Sequence, residues 1–344
     1  MKKPTILDVA DSAGVAVGTV SRYLNDQRIR KDNRTRIEQA IADLGYRANT
    51  LARAMKTERT NTVGYLVPKF DEFNSGILTQ LVRSLRGRGY SIVTFHHSDE
   101  ADAINEALES ASSRRIDAII LSGTHEVTEK VQELLSGEQP VIIFNNDVPG
   151  VETDKVLVND EAAAQDAVSR MIDFGHTRIG VVTGDLNGST GQNRLQGYRK
   201  AHEQAGLSVD EELVYVGNWG QLDGYTAMDR FLGMENPPSA VFFSNYLMTI
   251  GGLDCLSSNG KQVGKDIDLV TFDDPDMFRL IPPGITAIEQ PIEQIARHLT
   301  EIVLSRLDGT APDHPRNIRV NCALKLRGSL GVAHKASGKT HEDS

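Results

Sequence analysis

Positions 15 to 25 read VAVGTVSRYLN. On a short helix Val15, Val20 and Leu24 can turn inward, leaving Gly18, Thr19, Ser21, Arg22 and Asn25 outward. Such a face is small, polar and carries a single cation. Arg and Asn side chains make bidentate bonds to base edges in a major groove, and a helix N-terminus attracts phosphate. A second set of polar residues recurs at the ends of apolar runs further along. It comprises Asp71, Phe73 and Asn74, then Asn145-Asn146-Asp147, Asn218-Trp219, Ser244-Asn245 and Asp273-Asp274. Carboxylates and amides bond vicinal hydroxyls, and an aromatic ring stacks on a sugar's C–H face. Any one of these is ordinary turn chemistry; their recurrence at successive run ends points to a polyhydroxylated ligand.

Other chemistries lack their residues. His96 and His97 are adjacent and cannot both face one metal from a strand. There is no HExxH, Cys cluster, EF-hand loop, Walker loop or G-x-S-x-G elbow. Gly87-Arg88-Gly89 leads from helix to strand, the wrong order for a dinucleotide loop. Adjacent Asp273 and Asp274 point apart at a strand end, which suits ligand binding or capping better than an acid/base pair. No enzyme activity, cofactor or metal is expected.

The elements that must position these residues fall into two styles. Thr5-Ile6-Leu7-Asp8 fits a capping box for a first helix with Ile6, Val9, Ala10 and Ala13 as its stripe, ended by Gly14. A second helix runs from about Ala16 to Leu24, so the pair forms a helix-turn-helix. A third runs from about Asp32 to Leu44 and ends at Gly45-Tyr46. These make a compact head over residues 1–46. Residues 47–60 carry an apolar side of Leu51, Ala54 and Met55; so short a segment is marginal as a free helix, and it reads as a hinge that becomes helical on docking.

From residue 61 apolar strands alternate with amphipathic helices. Strands are expected at 62–68, 91–96, 117–123, 140–146, 155–160, 178–184, 214–219, 239–245 and 269–274, and after the last helix come RNIRV (316–320) and a strand LKLRGS (324–329). Helices are expected at about 77–86, 101–113, 126–135, 161–174, 191–205, 223–231, 247–259 and 292–307. The class is α/β: parallel sheets covered on both faces, in two tandem series that make a two-lobed body over 61–330. The N-lobe takes about 61–160 and 291–319, the C-lobe about 161–288 and 320–330. Ligands bind at the carboxyl ends of such strands, here the cleft between lobes. Residues 331–344 are a polar tail, expected to be disordered.

Charge divides the chain in the same way. The whole of 344 residues carries −10, yet residues 1–60 hold 12 Lys and Arg against 7 Asp and Glu, a balance of +5 that leaves −15 for the rest. A basic head suits a polyanion and an acidic body does not. No apolar run approaches the ~20 residues that cross a bilayer. With two cysteines, Cys255 and Cys322, no disulfide framework is expected, and a cytoplasmic protein is.

TILDVADSAGVAVGTVSRYLN, followed by IEQAIADLGYRANTLARAM, resembles the head and hinge of the lactose-repressor (LacI/GalR) family of bacterial transcription regulators. The DVA-x3-GV-x3-TVSR-x2-N spacing is present in full. The resemblance implies Val17 and Gly18 as the main base readers. It implies Thr19, Ser21, Arg22 and Asn25 as holders of phosphates or neighbouring bases. Asn49 would be the hinge amide, and Met55 the apolar wedge that kinks the minor groove. Thr5, at the head of the first helix, completes the DNA-binding set. Ala16 departs from the family's Ser or Thr cap, and Arg30 and Asn33 replace its usual Ser and Thr at the start of the third helix. Val17 and Gly18 offer only apolar contact and close approach, so a thymine methyl and DNA shape would be read.

The body resembles the family less tightly, through FGHTRIG at 174–180 and GQNRLQGYRKA at 191–201. The resemblance implies effector roles for Arg194, Trp219, Asn245, Asp273 and Gln290, beside Asp71, Phe73, Asn74 and Asn145. Tyr246 stands where the family has Asp, and Asn145 where many relatives have it. The tail after Leu330 lacks the heptads of a coiled coil, which predicts a homodimer on a pseudo-palindromic operator. A repressor controlled by a mono- or disaccharide or glycoside is the expectation. Induction is preferred, with corepression open; no membrane partner is expected. A solute-binding protein and a sugar- or nucleotide-using α/β enzyme are the competing classes. The first is opposed by the basic head, and the second by the missing phosphate loop and catalytic pair.

Overall fold

The computed structural model describes residues 4–24, 27–46, 59–98, 100–122, 129–148 and 150–331. Its backbone divides into two units, residues 1–60 and 61–344.

In the first unit, α1 (Ile6–Ala13) opens with the capping box: Asp8 N–H reaches Thr5 Oγ1 at 3.4 Å, and Thr5 N–H reaches Asp8 Oδ2 at 2.7 Å. Gly14 ends it with φ +61°, a left-handed turn that glycine adopts without a Cβ penalty. α2 (Val17–Leu24) follows after Ala16, which has no side chain to cap with; Thr19 and Val20 N–H turn back to the Ala16 carbonyl instead. α3 (Lys31–Leu44) starts without a side-chain cap at Arg30. Val9, Ala10, Ala13, Val20, Ile37 and Ala40 are buried between the three helices. Apolar positions three and four apart on each helix are what this packing uses.

The second unit holds two six-stranded sheets. The first combines β1 (Thr62–Val67), β2 (Ser91–His96), β3 (Ala118–Ser122), β4 (Val141–Phe144), β5 (Asp154–Val158) and a late strand, β11 (Asn317–Val320), in the order β11-β5-β4-β3-β1-β2, all parallel. Pairings such as Leu66 with Phe95 on one side and Leu121 on the other set its register. Helices α4 (Glu72–Arg86) and α11 (Ile292–Leu307) cover one face, taking Val63, Tyr65 and Val67; α5 (Ala101–Ser113) and α6 (Glu129–Ser136) cover the other, taking Leu66. Strands buried on both faces read as continuous apolar runs for this reason.

The second sheet combines β6 (Ile179–Thr183), β7 (Val214–Val216), β8 (Ala240–Phe243), β9 (Asp268–Phe272), β10 (Thr286–Glu289) and β12 (Ala323–Lys325), in the order β12-β10-β9-β8-β6-β7. Only β12 is antiparallel to its neighbour. α7 (Asp160–Asp173) and α8 (Ser189–Gln204) cover one face, α9 (Gln221–Leu232) and α10 (Tyr246–Ser258) the other. The chain crosses between sheets three times: after β5, after β10 and after β11.

The structure differs from the expected elements at five places, one of them the last strand, β12, which ends at Lys325 rather than near Ser329. α4 begins at Glu72 rather than near 77, because Asp71 caps it. β7 stops at Val216, before the left-handed Trp219. Asp160 starts α7 rather than ending β5. β10 is a strand that its mixed polar surroundings hid.

Candidate functional site

On the head, α2 shows Val17, Gly18 and Arg22 exposed, with Thr19 and Ser21 half-buried beside them. A Cβ added at Gly18 would meet nothing within 4 Å. Packing of the head therefore does not require glycine there, although glycine costs a helix about 0.5–1 kcal/mol relative to alanine. Thr5 is engaged in the cap of α1. Asn25, Asn49 and Met55 lie outside the described residues.

On the body, strand ends carry non-glycine residues in the left-handed region: Ser98 after β2 (φ +45°), Asn145 after β4 (φ +69°), Trp219 after β7 (φ +62°) and Asp273 after β9 (φ +75°). Backbone strain of this kind gathers at binding sites. A cavity of about 390 Å³ opens between the carboxyl edges of the two sheets, with Phe73, Tyr246, Asp273 and Gln290 in its lining. Asp273 Oδ1 accepts from Gln290 Nε2 at 2.7 Å, and its Oδ2 faces Tyr246 N–H at 3.3 Å. Gln290, in the second crossing, is 8% exposed and its Oε1 has no partner.

Asp71 and Asn74 lie on either side of Phe73 in the chain, at the start of α4. The Asp71 carboxylate accepts from Asn74 N–H at 2.9 Å, while Tyr65 donates its hydroxyl to the Asn74 carbonyl at 2.9 Å. Burial pushes the Asp71 carboxyl above its usual range, and the Asp273 charge adds to the rise against the Asn74 N–H and Lys69. Burial likewise raises the Tyr246 phenol, together with the charges of Asp71 and Asp273. Asn74 Oδ1, Ser122 Oγ, Ser244 Oγ and Gln290 Oε1 are buried polar atoms without a partner, and all four sit at the carboxyl edges of the sheets. Buried polar atoms are normally bonded, so such a gathering marks a place for hydrogen-bonding guests.

Arg194, Trp219 and Asn245 form a neighbouring group. The Trp219 ring lies on Gly184, where an added Cβ would come within 2.0 Å of it, so only glycine allows the ring this close. Arg194 is 3% exposed; its Nε donates to Asp160 Oδ1 at 2.7 Å and its Nη1 to the Ser244 carbonyl at 2.5 Å. Its guanidinium lies 3.4 Å from the Phe272 ring centre and 5.9 Å from that of Trp219. Asn245 caps α10, accepting from Met248 N–H at 2.9 Å and donating to the Trp219 carbonyl at 3.1 Å. Arg194 and Asn245 thus brace the strand ends. Cys322, in the third crossing, has its thiol pushed up to about 12 by burial and the nearby Asp160 charge.

Asn145 stands apart from the cavity lining and beside a contact between lobes. Next to it, Asn146 Oδ1 accepts from Thr190 N–H at 2.9 Å, Thr190 Oγ1 at 2.6 Å and Ser189 Oγ at 3.3 Å. The Asp147 N–H donates to Ser189 Oγ at 2.7 Å. Gly188, at the N-cap of α8, has no side chain, so Asn146 caps that helix from the other lobe. Sequence reasoning placed Asn146 in a polar strand end without assigning it a role. The only signal was an Asn-Asn-Asp run opposite a helix start headed by glycine. Among the described residues no cluster of potential metal ligands is present and no helix is long and apolar enough to cross a membrane.

A helical head with a small polar face, and an α/β body with a polar cleft at the carboxyl edges of paired sheets, define a two-module DNA-binding protein that senses a small molecule. Residues 5–49 match the model of the bacterial regulatory proteins of the lacI family, and residues 168–330 that of a periplasmic binding protein-like domain. The chain is 30% identical over 311 residues to the HTH-type transcriptional repressor PurR of Haemophilus influenzae, covering 88% of this chain and 91% of that protein. It is 31% identical over 333 residues to the ribose operon repressor of Escherichia coli, covering 94% and 99%. Among solved structures, a complex of the transcriptional regulator CelR with cellobiose superposes with a TM-score of 0.73 at 28% identity, covering 95% and 99%. The lac repressor dimer bound to operator and the anti-inducer ONPF superposes at 0.84 and 21%, covering 96% and 100%, a likeness of fold. The chain belongs to the LacI family: it is a DNA-binding transcriptional repressor under the control of a small-molecule effector.

Proposed function

We propose that this repressor acts as a cytoplasmic homodimer on a pseudo-palindromic operator and lets go of it when a sugar-like ligand enters the body's cleft. The observation that carries the effector assignment is the Gln290–Asp273–Tyr246 network bordering the 390 Å³ cavity. It joins a crossing segment to a strand end and a helix start, so a ligand bonded there touches parts that move when lobes close. Phe73 and Tyr246 supply aromatic faces for sugar C–H groups. The DNA-binding set extends over Thr5, Val17, Gly18, Thr19, Ser21, Arg22 and Asn25, with Asn49 and Met55 in the hinge segment.

No catalytic role is assigned. Asp274 is bound to Arg327 through two bonds of 2.7 and 2.6 Å, and Asp273 accepts from Gln290 at 2.7 Å, so the two serve as a structural ion pair and a hydrogen-bond acceptor at the cleft. A Ser239–His176–Asp268 chain, with separations of 2.9 and 3.0 Å, has the order of a hydrolytic triad. His176 is 2% exposed, and Ser239 and Asp268 lie at the amino ends of β8 and β9, away from the cleft. That chain gives the GH-x-RIG motif a structural meaning: His176 ties two strands together.

Fluorescence anisotropy of a labelled promoter fragment, titrated with protein in the presence of sugars and glycosides, tests the assignment. The effector is expected to raise the operator Kd. By reciprocity the operator must weaken effector binding by the same factor. A ligand that fills the cleft while leaving operator affinity unchanged would overturn this reading.

A further inference from the structure

Among the described residues, every charged side chain lining the cavity is acidic: Glu72, Asp273, Asp274, Glu289 and Glu293. Two of these are neutralised within the protein. Asp274 is paired with Arg327 at 2.6 Å, and Glu289 with Lys325 at 3.0 Å. Asp273 receives hydrogen bonds from Gln290 and Tyr246 but no cation contributes to them. Glu72 and Glu293 stand exposed at the rim, in the first turns of α4 and α11. The cavity therefore holds negative charge in excess.

Its spare hydrogen-bonding capacity has the same polarity. Gln290 is more than nine-tenths buried, lines the cavity, gives its amide N–H to Asp273 and is left with Oε1, an acceptor, unmet. Asn74, 2% exposed and next to Phe73 in the chain, though outside the lining, also has an unmet acceptor, Oδ1. A guest must bring donors. Asp71 has Lys69 at 3.7 Å, but a neutral polyol answers the acceptors and leaves Asp273, in the lining itself, with hydrogen bonds from neutral donors only. Phe73 and Tyr246 add ring faces that attract cations.

We propose, resting on the effector cleft assigned above, that the ligand is a polyhydroxylated molecule bearing a protonated amine, and that phosphorylated and acidic sugars are excluded. The rim glutamates raise the local concentration of such a cation, and Asp273 with Gln290 Oε1 receives its N–H and O–H groups.

The test is calorimetric titration of the full chain with matched probes: glucosamine against glucose and N-acetylglucosamine, galactosamine against galactose, mannosamine against mannose, and the corresponding 6-phosphates. At least one amine is expected to bind ten-fold or more tightly than its hydroxyl partner. That ratio should fall with added salt and fall again in the double variant Glu72→Gln, Glu293→Gln, whose exposed positions leave folding intact. The 6-phosphates should not bind. A hydroxyl or N-acetyl partner that equals its amine, a 6-phosphate that binds, or a panel in which no amine binds overturns the proposal. The operator assay keeps the two readings apart. A neutral sugar that releases DNA and outbinds its amine sinks the charge assignment alone. An amine that binds with no effect on the operator sinks the repressor switch and spares the charge assignment.

Discussion

Replacing Asn146 by alanine should loosen the contact between lobes and weaken effector binding about five- to thirty-fold. The side chain's Oδ1 holds Thr190 N–H at 2.9 Å, Thr190 Oγ1 at 2.6 Å and Ser189 Oγ at 3.3 Å. It does so at a helix start whose own cap residue is Gly188. Loss of an N-cap costs about 0.5–2 kcal/mol, and a neutral hydrogen bond contributes about 0.5–1.5 kcal/mol net. Asn146 is half-buried, so water replaces part of what is lost, and about 1–2 kcal/mol is the expected change. None of these bonds lies inside a lobe. The change therefore falls on the equilibrium between joined and parted lobes, and apparent affinity drops with the population of the joined form. Titration of ligand followed by Trp219 fluorescence reads it directly, since Trp219 is the single tryptophan and lies near Arg194. Asn146→Asp is the control: it keeps the acceptor and adds a negative charge at a helix N-terminus, so affinity should hold or rise. Unchanged affinity in Asn146→Ala, or equal losses in both variants, would refute the capping argument.

Gly18→Ala should stabilise the head by about 0.5–1 kcal/mol, since the added methyl meets nothing, while reducing operator affinity if the exposed glycine serves close approach to DNA; thermal melts and anisotropy read the two effects separately. Asp154→Ala should cost about 3–5 kcal/mol in chemical denaturation, because Arg306 and Arg316 are left without the carboxylate that both engage. Burial would raise the Asp154 carboxyl, but the Arg306 bond, the Arg316 N–H and both positive charges outweigh it and hold it below the ordinary range. Its contribution is therefore present above the usual carboxylate range and lost as pH falls through the lowered value, which an acid titration of stability should show for the parent and not for the variant. Asp71 has the opposite sign: burial and Asp273 raise it, so its charge opposes folding at neutral pH and the opposition fades as pH falls through the raised value. Asp71→Asn keeps an acceptor for the Asn74 N–H and should raise the melting temperature at pH 7, with the gain vanishing in acid.

The head was legible nearly residue by residue because its signals are local. A capping box, a left-handed glycine and apolar positions at helical spacing each act within a few residues, and Thr5, Asp8 and Gly14 do what their types suggest. Strands buried on both faces were legible as apolar runs, although β10 escaped because it carries the polar ends Thr286 and Glu289. The cleft was legible in kind and less so in detail. Asp71 looked like a ligand group and is also a helix cap, and Asn245 likewise caps α10. Arg194 has its bonds to Asp160 and the Ser244 carbonyl, partners 34 and 50 residues away that no local pattern reveals. Asn146 works across 44 residues on a helix in the other lobe, so its role depends on how the two sheets meet.

That distribution of contacts bears on how the body can switch. Each lobe buries its own apolar clusters, Tyr65, Phe144 and Leu81 in one and Tyr198, Phe242 and Phe272 in the other. Close-packed interiors of that kind do not deform gradually. Between the lobes stand three chain crossings, the Asn146 cap and a cavity bordered by polar and acidic groups. Polar bonds of about 1 kcal/mol each are weak enough to exchange with water and specific enough to define a joined state. A ligand that adds a few such bonds across the cavity can tip the balance without disturbing either core, and its leverage is set by how differently it binds the joined and parted states. On the proposed reading Asp273 makes that difference depend on charge: its carboxylate, bonded within the protein to neutral donors, gains a counter-charge when a cationic guest is enclosed, which favours joined lobes. The effector's positive charge and the lobes' closure are then one property, and neutralising Asp273 should weaken the dependence of closure on the amine while leaving the Asn146 cap in place.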